Sequence, residues 1–327
     1  MQNKILSIVI PTYNMEAYLR RCLDSVTRSD VPNSLELIVV NDGSTDESLT
    51  IMQEYKAKRP DIVTIIDKPN GHYGSCVNAA LKVATGKYFR MLDADDWFET
   101  EGLIKLLEEL KSTNSDAVIT LFCMHRHTQT YVIVPRNIDF QKKYTVFNES
   151  IWEKQPTSLY TMHAFTYKTS VLKSVKLKLT EGICYTDTEY LLYPLQQVCT
   201  ISCYNILLYH YDLTRDGQSM NTEVYTKNHS HLAKIILRFF EEFNYTSISP
   251  LAKKIFLGTL VSYYYRMLFC CIDDVELTKI DSTVKKSNLK TNYYINRKLA
   301  GALFLWRLFR VHFLFYEKIK QVLHIER

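Results

Sequence analysis

The sequence of 327 residues lacks the features that mark disordered, fibrous, zinc-finger and membrane-spanning proteins. It has only nine glycines and eight prolines, and 46% of its residues are hydrophobic, which argues against a disordered or fibrous chain. Its eight cysteines form no CxxC pair and no His/Cys cluster with zinc-finger spacing. No uncharged apolar stretch reaches the roughly 18 residues of a spanning helix, and the run Ile5–Ile10 is too short for a signal peptide. We therefore expect a globular cytoplasmic protein with reduced thiols.

Positive charge is concentrated at one end of the chain. Seven basic and two acidic residues lie between Ile295 and Arg327, which we call the basic tail, so this segment accounts for the whole net charge of +5. A balanced body with one basic end does not match a nucleic-acid-binding protein. Within the tail, Ala300–Tyr316 combines Trp, Phe and Leu with Arg. That composition is typical of a helix on an anionic membrane surface or of a helix packed on the body with its Arg groups outward.

Strand-like and helix-like segments alternate over the first 120 residues. Apolar runs predict strands at Ile5–Ile10, Leu35–Val40, Val63–Ile66, Tyr88–Leu92 and Ala117–Phe122. Helical spacing predicts helices at Glu16–Thr27, Asp46–Lys58, Gly74–Ala84 and Glu101–Lys111. Ser44 or Thr45 is expected to cap the second helix, and Gly86 to follow the third in the C′ position. This order predicts an α/β protein with a mostly parallel sheet covered by helices on both faces.

The predicted carboxyl ends of four strands carry polar residues, and ligands bind at such ends in parallel sheets. After the fourth strand, Asp93, Asp95 and Asp96 lie within four residues; we call Asp93–Asp96 the acidic turn. Carboxylates this close repel one another unless a cation or hydrogen-bond donors compensate them. A solvated turn that caps the next helix is the alternative. Oxygen ligands suit Mg²⁺ or Mn²⁺, which would neutralise a nucleotide diphosphate.

The chain resembles the family-2 glycosyltransferases of the GT-A fold, in particular the non-processive bacterial type. The matching stretches are Ser7–Asn14, Glu36–Asp46, Asn70–Gly71, Ala84–Tyr88 and Leu92–Trp97. Their order and spacing cover about the first 110 residues, and together they are highly specific. The Gln-x-x-Arg-Trp motif of the processive enzymes is absent from the sequence, so the resemblance implies addition of a single sugar.

The resemblance implies roles for residues in the first half. Pro11 and Tyr13, in one loop with Asn14, would bind the nucleobase, and Asp42 would form a hydrogen bond with it, commonly with uracil. Asp93 would contact the ribose or the pyrophosphate.

Asp95 would bind the metal, Mg²⁺ or Mn²⁺, whereas Asp96 is equally well explained as a helix cap. The family often has Ala-Arg-Asn where this chain has Cys76–Asn78. Either Lys68 replaces the missing basic residue or that nucleotide contact is absent.

The second half contains a candidate for the catalytic base. Glu181–Glu189 resembles the family segment whose Asp removes the acceptor proton, and Asp187 matches that Asp. Thr186 replaces the usual preceding Glu, so Asp187 as a mere cap of a helix Thr188–Gln197 is the alternative, with Glu181 as the next candidate base.

The segment His210–Met220 resembles the family's closing segment. Arg215 is expected to contact phosphate. His210 is either a metal ligand or a structural residue.

These features predict an inverting, metal-dependent glycosyltransferase that moves a sugar from a nucleotide-sugar donor, most simply a UDP-sugar, to a glycan or lipid-linked acceptor. We expect a GT-A domain over residues 1–220, divided into a nucleotide-sugar half (1–122) and an acceptor half (123–220). A helical region would follow over residues 221–327. A sugar-phosphate nucleotidylyltransferase would need a Gly-rich loop with a basic residue after the first strand. A non-catalytic nucleotide-sugar or glycan-binding module would not need Asp93, Asp95 and Asp187.

Overall fold

The computed structural model describes residues 4–215, 222–243, 245, 247–270 and 274–309. The strands of these residues are β1 Leu6–Thr12, β2 Leu35–Asn41, β3 Val63–Asp67, β4 Tyr88–Met91, β5 Trp97–Phe98, β6 Ala117–His125, β7 Thr130–Ile133, β8 Lys143–Thr145, β9 Phe165–Lys168 and β10 Thr200–Asp212. The helices are α1 Glu16–Thr27, α2 Ser48–Lys58, α3 His72–Val83, α4 Thr100–Ser112, α5 Glu149–Trp152, α6 Thr169–Ser174, α7 Asp187–Leu192, α8 Thr222–Lys227, α9 His229–Glu242, α10 Pro250–Cys270, α11 Asp274–Lys286, α12 Leu289–Lys298 and α13 Ala300–Phe309. Two 3₁₀ turns cover Thr157–Leu159 and Tyr193–Gln196.

All ten described strands belong to one sheet in the order β3-β2-β1-β4-β9-β6-β10-β5, with β7 beside β6 and β8 beside β10. The four strands β3, β2, β1 and β4 are parallel. Strand β9 then joins β4 to β6 with antiparallel pairing on both sides, and β10 is parallel to β6. The predicted α/β class is confirmed, and its parallel character is concentrated in the half that carries the nucleotide motifs.

Burial explains the regular elements of that half. Most residues of β1 and β2 are buried, as expected of parallel strands covered on both faces. Helix α1 buries Leu19, Cys22, Leu23 and Val26, which share one face at helical spacing. The predicted bounds of α1 agree with the structure residue for residue.

Two predicted caps are wrong. Helix α2 begins at Ser48, and Ser44 instead accepts a hydrogen bond from the Asn14 amide at 3.1 Å. Helix α3 ends at Val83 with Ala84 as its cap residue, so Gly86 is not at C′. Gly86 is required by close packing, because a Cβ there would lie 2.5 Å from the backbone nitrogen of Ser7.

The chain divides into two compact units. The first contains residues up to Arg215 together with Ser249–Ala252, and the second contains the remaining helices. The predicted domain boundary at residues 220 and 221 falls outside the described residues, so it stays a prediction.

In the second unit, the described part of the basic tail includes the end of α12, which contains Arg297 and Lys298, and α13. Leu303 and Trp306 are buried, Phe304 and Leu308 are exposed, and Arg307 donates to Asp281 Oδ1 at 2.5 Å. Residues 310–327 of the tail lie outside the described residues. Among the described helices, none combines the length and the apolar character needed to cross a membrane.

Candidate active site

Asp42, the residue predicted to bind the nucleobase, directly follows β2, and its partner Lys68 directly follows β3. The Asp42 carboxylate is buried and accepts a hydrogen bond from the Gly71 amide at 2.9 Å. The Lys68 ammonium contacts the same carboxylate oxygen and donates to Ser75 Oγ at 2.8 Å. Lys68 therefore supplies a basic group beside the carboxylate predicted to bind the base.

The loop after β1 contains Tyr13 and Asn14. Asn14 has a φ of 52°, a left-handed conformation that Asn tolerates better than most residues. Its Oδ1 accepts from the Thr45 amide at 2.8 Å, which joins this loop to the loop after β2. The Tyr13 side chain is 48% exposed, and Pro11 lies opposite Val40 in the sheet. The Tyr13 ring is thus accessible, as a surface for base stacking must be.

Each carboxylate of the acidic turn has its own hydrogen-bond donor. Asp93 accepts from the Tyr73 hydroxyl at 2.7 Å, Asp95 from Arg215 Nε at 2.8 Å, and Asp96 from the Tyr209 hydroxyl at 2.6 Å. Helix α4 begins only at Thr100, so the helix-cap interpretation of Asp96 is wrong. Asp96 instead connects the turn to β10.

Two guanidinium groups face the acidic turn. Arg215 was predicted to contact phosphate, and it forms an ion pair with Asp95. Arg21 donates to the Asp95 carbonyl oxygen at 2.5 Å and to Asp212 Oδ2 at 2.8 Å. Arg21 lies on α1 outside every matching stretch, so the sequence held no signal for its position.

The acidic turn has more negative charge than its partners neutralise. Burial raises the pKa of Asp93 to about 8, and the charge of Asp95 adds to this effect. Burial also raises the pKa of Asp96 well above its usual range, again with Asp95 as the next cause. A cation bound at the turn would favour the ionised carboxylates.

His163 completes a possible metal-binding group that the sequence did not suggest. Asp93, Asp96 and His163 each offer a ligand atom, and these atoms lie within 4.8 Å of one another. Burial lowers the pKa of His163 to about 3, so its ring is neutral, as metal binding requires. Its Nε2 has no hydrogen-bond partner among the described residues. Two carboxylates with one imidazole fit Mg²⁺ or Mn²⁺. Asp95 is outside this group, and its role as a ligand stays a prediction.

Asp187 is the first residue of α7 and is partly buried. Its negative charge raises the pKa of Asp93 and of Tyr73, which places it near the acidic turn. Thr186 is the cap residue of α7, so Asp187 does not cap this helix. The helix is also shorter than predicted, since it ends at Leu192 and continues as the 3₁₀ turn Tyr193–Gln196.

Helix α3 holds the segment that precedes Asp187. Asn78 Nδ2 donates to the Leu179 carbonyl oxygen and to Glu181 Oε1, both at 2.9 Å. A Cβ on Gly74 would lie 2.2 Å from the Thr180 carbonyl oxygen, so only glycine allows this approach. Asn78 therefore positions the acidic segment of the second half and also binds the alternative base, Glu181.

Comparison with known proteins agrees with this arrangement. The family model described as "Glycosyl transferase family 2" matches residues 7–176. A poly(ribitol-phosphate) beta-glucosyltransferase of Bacillus spizizenii is 31% identical over 228 residues, which cover 66% of this chain and 33% of that protein. The minor teichoic acid biosynthesis protein GgaB of Bacillus subtilis is 28% identical over 236 residues, covering 69% and 25%. The chain thus spans a third or less of the length of these relatives.

Solved structures with the same fold support the predicted GT-A architecture. S. aureus TarS 1–349 in complex with UDP-GlcNAc superposes with a TM-score of 0.59 at 20% identity, covering 91% of this chain and 80% of that one. The mannosyltransferase PcManGT from Pyrobaculum calidifontis, in complex with GDP-Man and Mn²⁺, gives a TM-score of 0.56 at 16% identity, covering 98% and 88%. Since the family model matches more than half of the residues, the chain belongs to glycosyl transferase family 2, and the expectation of a glycosyltransferase is confirmed at the level of the family.

Proposed function

We propose that the chain is an inverting glycosyltransferase that moves one sugar from a UDP-sugar to a hydroxyl group of a glycan or lipid-linked acceptor, with Mg²⁺ or Mn²⁺ bound. The observation that carries this proposal is the effect of Asp187 on Asp93, since the charge of Asp187 helps to raise the pKa of Asp93. A partly buried carboxylate from the second half of the chain thereby lies near the turn that would bind the donor diphosphate.

The surroundings of Asp42 favour uracil as the donor base. Uracil presents an N–H donor between two carbonyl acceptors, and the Asp42 carboxylate, paired with Lys68, would accept from that N–H. Pro11 and Tyr13 would flank the base, with the exposed Tyr13 ring on its face. One of the structural relatives binds UDP-GlcNAc and another binds GDP-Man, so the base requires a direct test.

Asp95 would bind the metal ion, and Asp93 would contact the ribose or the pyrophosphate. Asp93, Asp96 and His163 offer a second possible set of ligands. When bound, the ion would neutralise the diphosphate as its bond to the sugar breaks. Arg215 now forms an ion pair with Asp95. It would contact the diphosphate once Asp95 turns to the metal, because a guanidinium group forms paired hydrogen bonds with phosphate oxygens.

Asp187 would act as the base. Its carboxylate takes the proton of the acceptor hydroxyl while the acceptor oxygen forms a bond to the anomeric carbon. The bond from that carbon to the diphosphate oxygen breaks on the opposite face, and the nucleoside diphosphate leaves. Attack opposite the leaving group inverts the anomeric configuration.

The relatives favour an acceptor from the cell envelope, since two of them are named for poly(ribitol-phosphate) and teichoic acid. Such an acceptor suits an enzyme on the inner face of the membrane, where the basic tail would bind anionic lipids. Removing residues 310–327 deletes four basic and two acidic residues, a net charge of +2, but keeps the ion pair of Arg307 with Asp281. We expect the shortened chain to bind anionic vesicles less well than the full chain in co-sedimentation. If both chains bind with the same affinity and the same dependence on salt, the tail does not have this role.

The proposal is tested with UDP-glucose, UDP-GlcNAc and GDP-mannose in the presence of Mn²⁺, each with and without a ribitol-phosphate polymer. We expect acceptor-dependent release of UDP and a product of inverted configuration by NMR. Donor binding without transfer would indicate a binding module. A product with retained configuration would exclude Asp187 as the base of a single displacement.

A further inference from the structure

Cys123, His125 and His210 form a cluster on the side of the sheet opposite the acidic turn. Cys123 and His125 belong to β6, and His210 is paired with Cys123 in the neighbouring β10. Tyr209 and Tyr211 of β10 contact Asp96 and His163 on the side of the acidic turn. Because side chains alternate along a strand, His210 points to the other face.

The spacing of this cluster suits a tetrahedral zinc ion. His125 Nε2 lies 2.9 Å from His210 Nδ1, and the ligand atoms of all three residues lie within 4.8 Å of one another. Usual zinc bond lengths in a tetrahedron place two nitrogens about 3.3 Å apart and a nitrogen and a sulfur about 3.6 Å apart. The two imidazoles would therefore separate by only a few tenths of an ångström.

The outer nitrogens of both imidazoles face oxygen atoms. His210 Nε2 lies 3.6 Å from Glu99 Oε2, and His125 Nδ1 lies 3.3 Å from Thr130 Oγ1. Histidines that bind metals usually direct the second nitrogen to a carboxylate or another oxygen, and Glu99 lies just beyond hydrogen-bond distance from His210 Nε2. Trp97 stacks on both rings, with centroid distances of 4.9 Å to His125 and 5.1 Å to His210. These contacts fix the rings before any metal arrives.

We propose that Cys123, His125 and His210 form a zinc site that is separate from the donor site, with a fourth position open to water. One thiol and two imidazoles select zinc over Mg²⁺ and Mn²⁺, which prefer the oxygen ligands of the acidic turn. The bound ion would join β6 to β10 beside Trp97, the residue that follows the acidic turn. Without zinc, the His125–His210 hydrogen bond and the stacking of Trp97 hold the two imidazoles together.

Cobalt substitution tests this site directly. In the full chain, with excess Mg²⁺ present, one equivalent of Co²⁺ should produce a thiolate-to-metal charge-transfer band that Zn²⁺ abolishes. Cys123→Ser should remove the band, whereas Cys203→Ser, which alters a similarly buried thiol on β10, should keep it. The Cys22 thiol lies near the acidic turn, 3.6 Å from the Asp93 carbonyl oxygen, so the loss of the band in Cys123→Ser, and not the band alone, identifies the site.

Zinc affinity gives an independent measurement. His125→Asn should weaken zinc binding more than Glu99→Gln, for which about a tenfold loss is expected from a residue that only orients a ligand. His127→Asn changes an exposed histidine two residues away and should leave the affinity unchanged. A full chain that binds no Zn²⁺, or a charge-transfer band that survives Cys123→Ser, would overturn the proposal. If Cys123→Ser does not fold, His125→Asn and Glu99→Gln provide the same test by calorimetry.

Discussion

Strand β10 presents different chemistry on its two faces. On one face, Tyr209 donates to the buried carboxylate of Asp96, and Tyr211 stacks on His163 with a centroid distance of 4.1 Å. On the other face, His210 forms its hydrogen bond with His125 beneath Trp97. The first face is crowded with carboxylates, and the second holds two imidazoles and a thiol.

The two faces differ in the kind of ligand that their charges favour. The pKa values of Asp93 and Asp96 are raised because their ionised forms are buried close to other carboxylates, so the acidic turn is short of positive charge. Burial and neighbouring His125 lower the pKa of His210, so that ring favours its neutral form. The acidic turn therefore suits a hard dication and a diphosphate, whereas the histidine cluster suits a softer ion. Alternation along one strand is enough to keep the two chemistries apart.

The largest expected effect comes from Asp95→Ala. We expect it to abolish Mn²⁺-dependent UDP binding and transfer, because the diphosphate would lose the metal that neutralises it. Isothermal calorimetry with UDP and Mn²⁺ measures the binding. Asp30→Ala, which breaks an exposed ion pair with Arg28, is the matched control and should have no effect.

The same measurement separates two possible ligand sets. If Asp95→Ala keeps the Mn²⁺-dependent affinity while Asp93→Asn loses it, Asp95 serves to hold Arg215 and the metal binds to the group of Asp93, Asp96 and His163. That result would correct the assignment made by resemblance to the family.

Asp187→Asn should reduce turnover by roughly 10²–10⁴-fold, the usual loss for a positioned acid–base group. Donor binding should change little, because the amide keeps the shape of the side chain. Glu181→Gln is the matched control, since Glu181 is the alternative base and accepts a hydrogen bond from Asn78. Single-turnover kinetics would reject Asp187 as the base if its loss is below tenfold and the loss for Glu181→Gln is larger.

The raised pKa of Asp93 predicts that metal affinity depends on pH. Between the ordinary pKa of an aspartate and about 8, the folded chain keeps a proton that the unfolded chain has released. The metal-free fold should therefore lose stability as the pH rises through this window. Metal binding must displace the proton, so Mn²⁺ affinity should rise by up to about tenfold per pH unit until the pKa is passed. Asp93→Asn should remove the part of this slope that ends near pH 8 in calorimetric titrations, and an unchanged slope would assign the proton to another group such as Asp96.

Local sequence patterns were sufficient for the nucleotide half of the fold. The bounds of α1 were predicted correctly because apolar residues recur at helical spacing, and the strands β1 to β4 were recognised as buried runs. The position of β9 between β4 and β6 could not be predicted, because a strand's sequence does not state which strand it will pair with. His163 and Arg21 reach the acidic turn through such long-range contacts, and neither lies in a recognisable motif. Gly86 was predicted at the C′ position of a helix, but it is required by its backbone neighbour Ser7, which is 79 residues away.

The smallest expected effect, and the sharpest test of the separation between the two faces, comes from Tyr209→Phe. This change removes the hydroxyl that donates to Asp96 and accepts from the Asp93 amide at 3.1 Å. The loss of this donor to the buried Asp96 carboxyl group should reduce the free energy of unfolding by about 1–3 kcal/mol. Tyr55→Phe is the control, because its partner Asp24 is exposed and water can replace the lost hydrogen bond. Urea unfolding should show the larger loss for Tyr209→Phe, while the cobalt band of the cluster with His210 stays unchanged. If Tyr209→Phe weakens that band as much as it destabilises the fold, the two faces of β10 are coupled through the strand and do not act as independent sites.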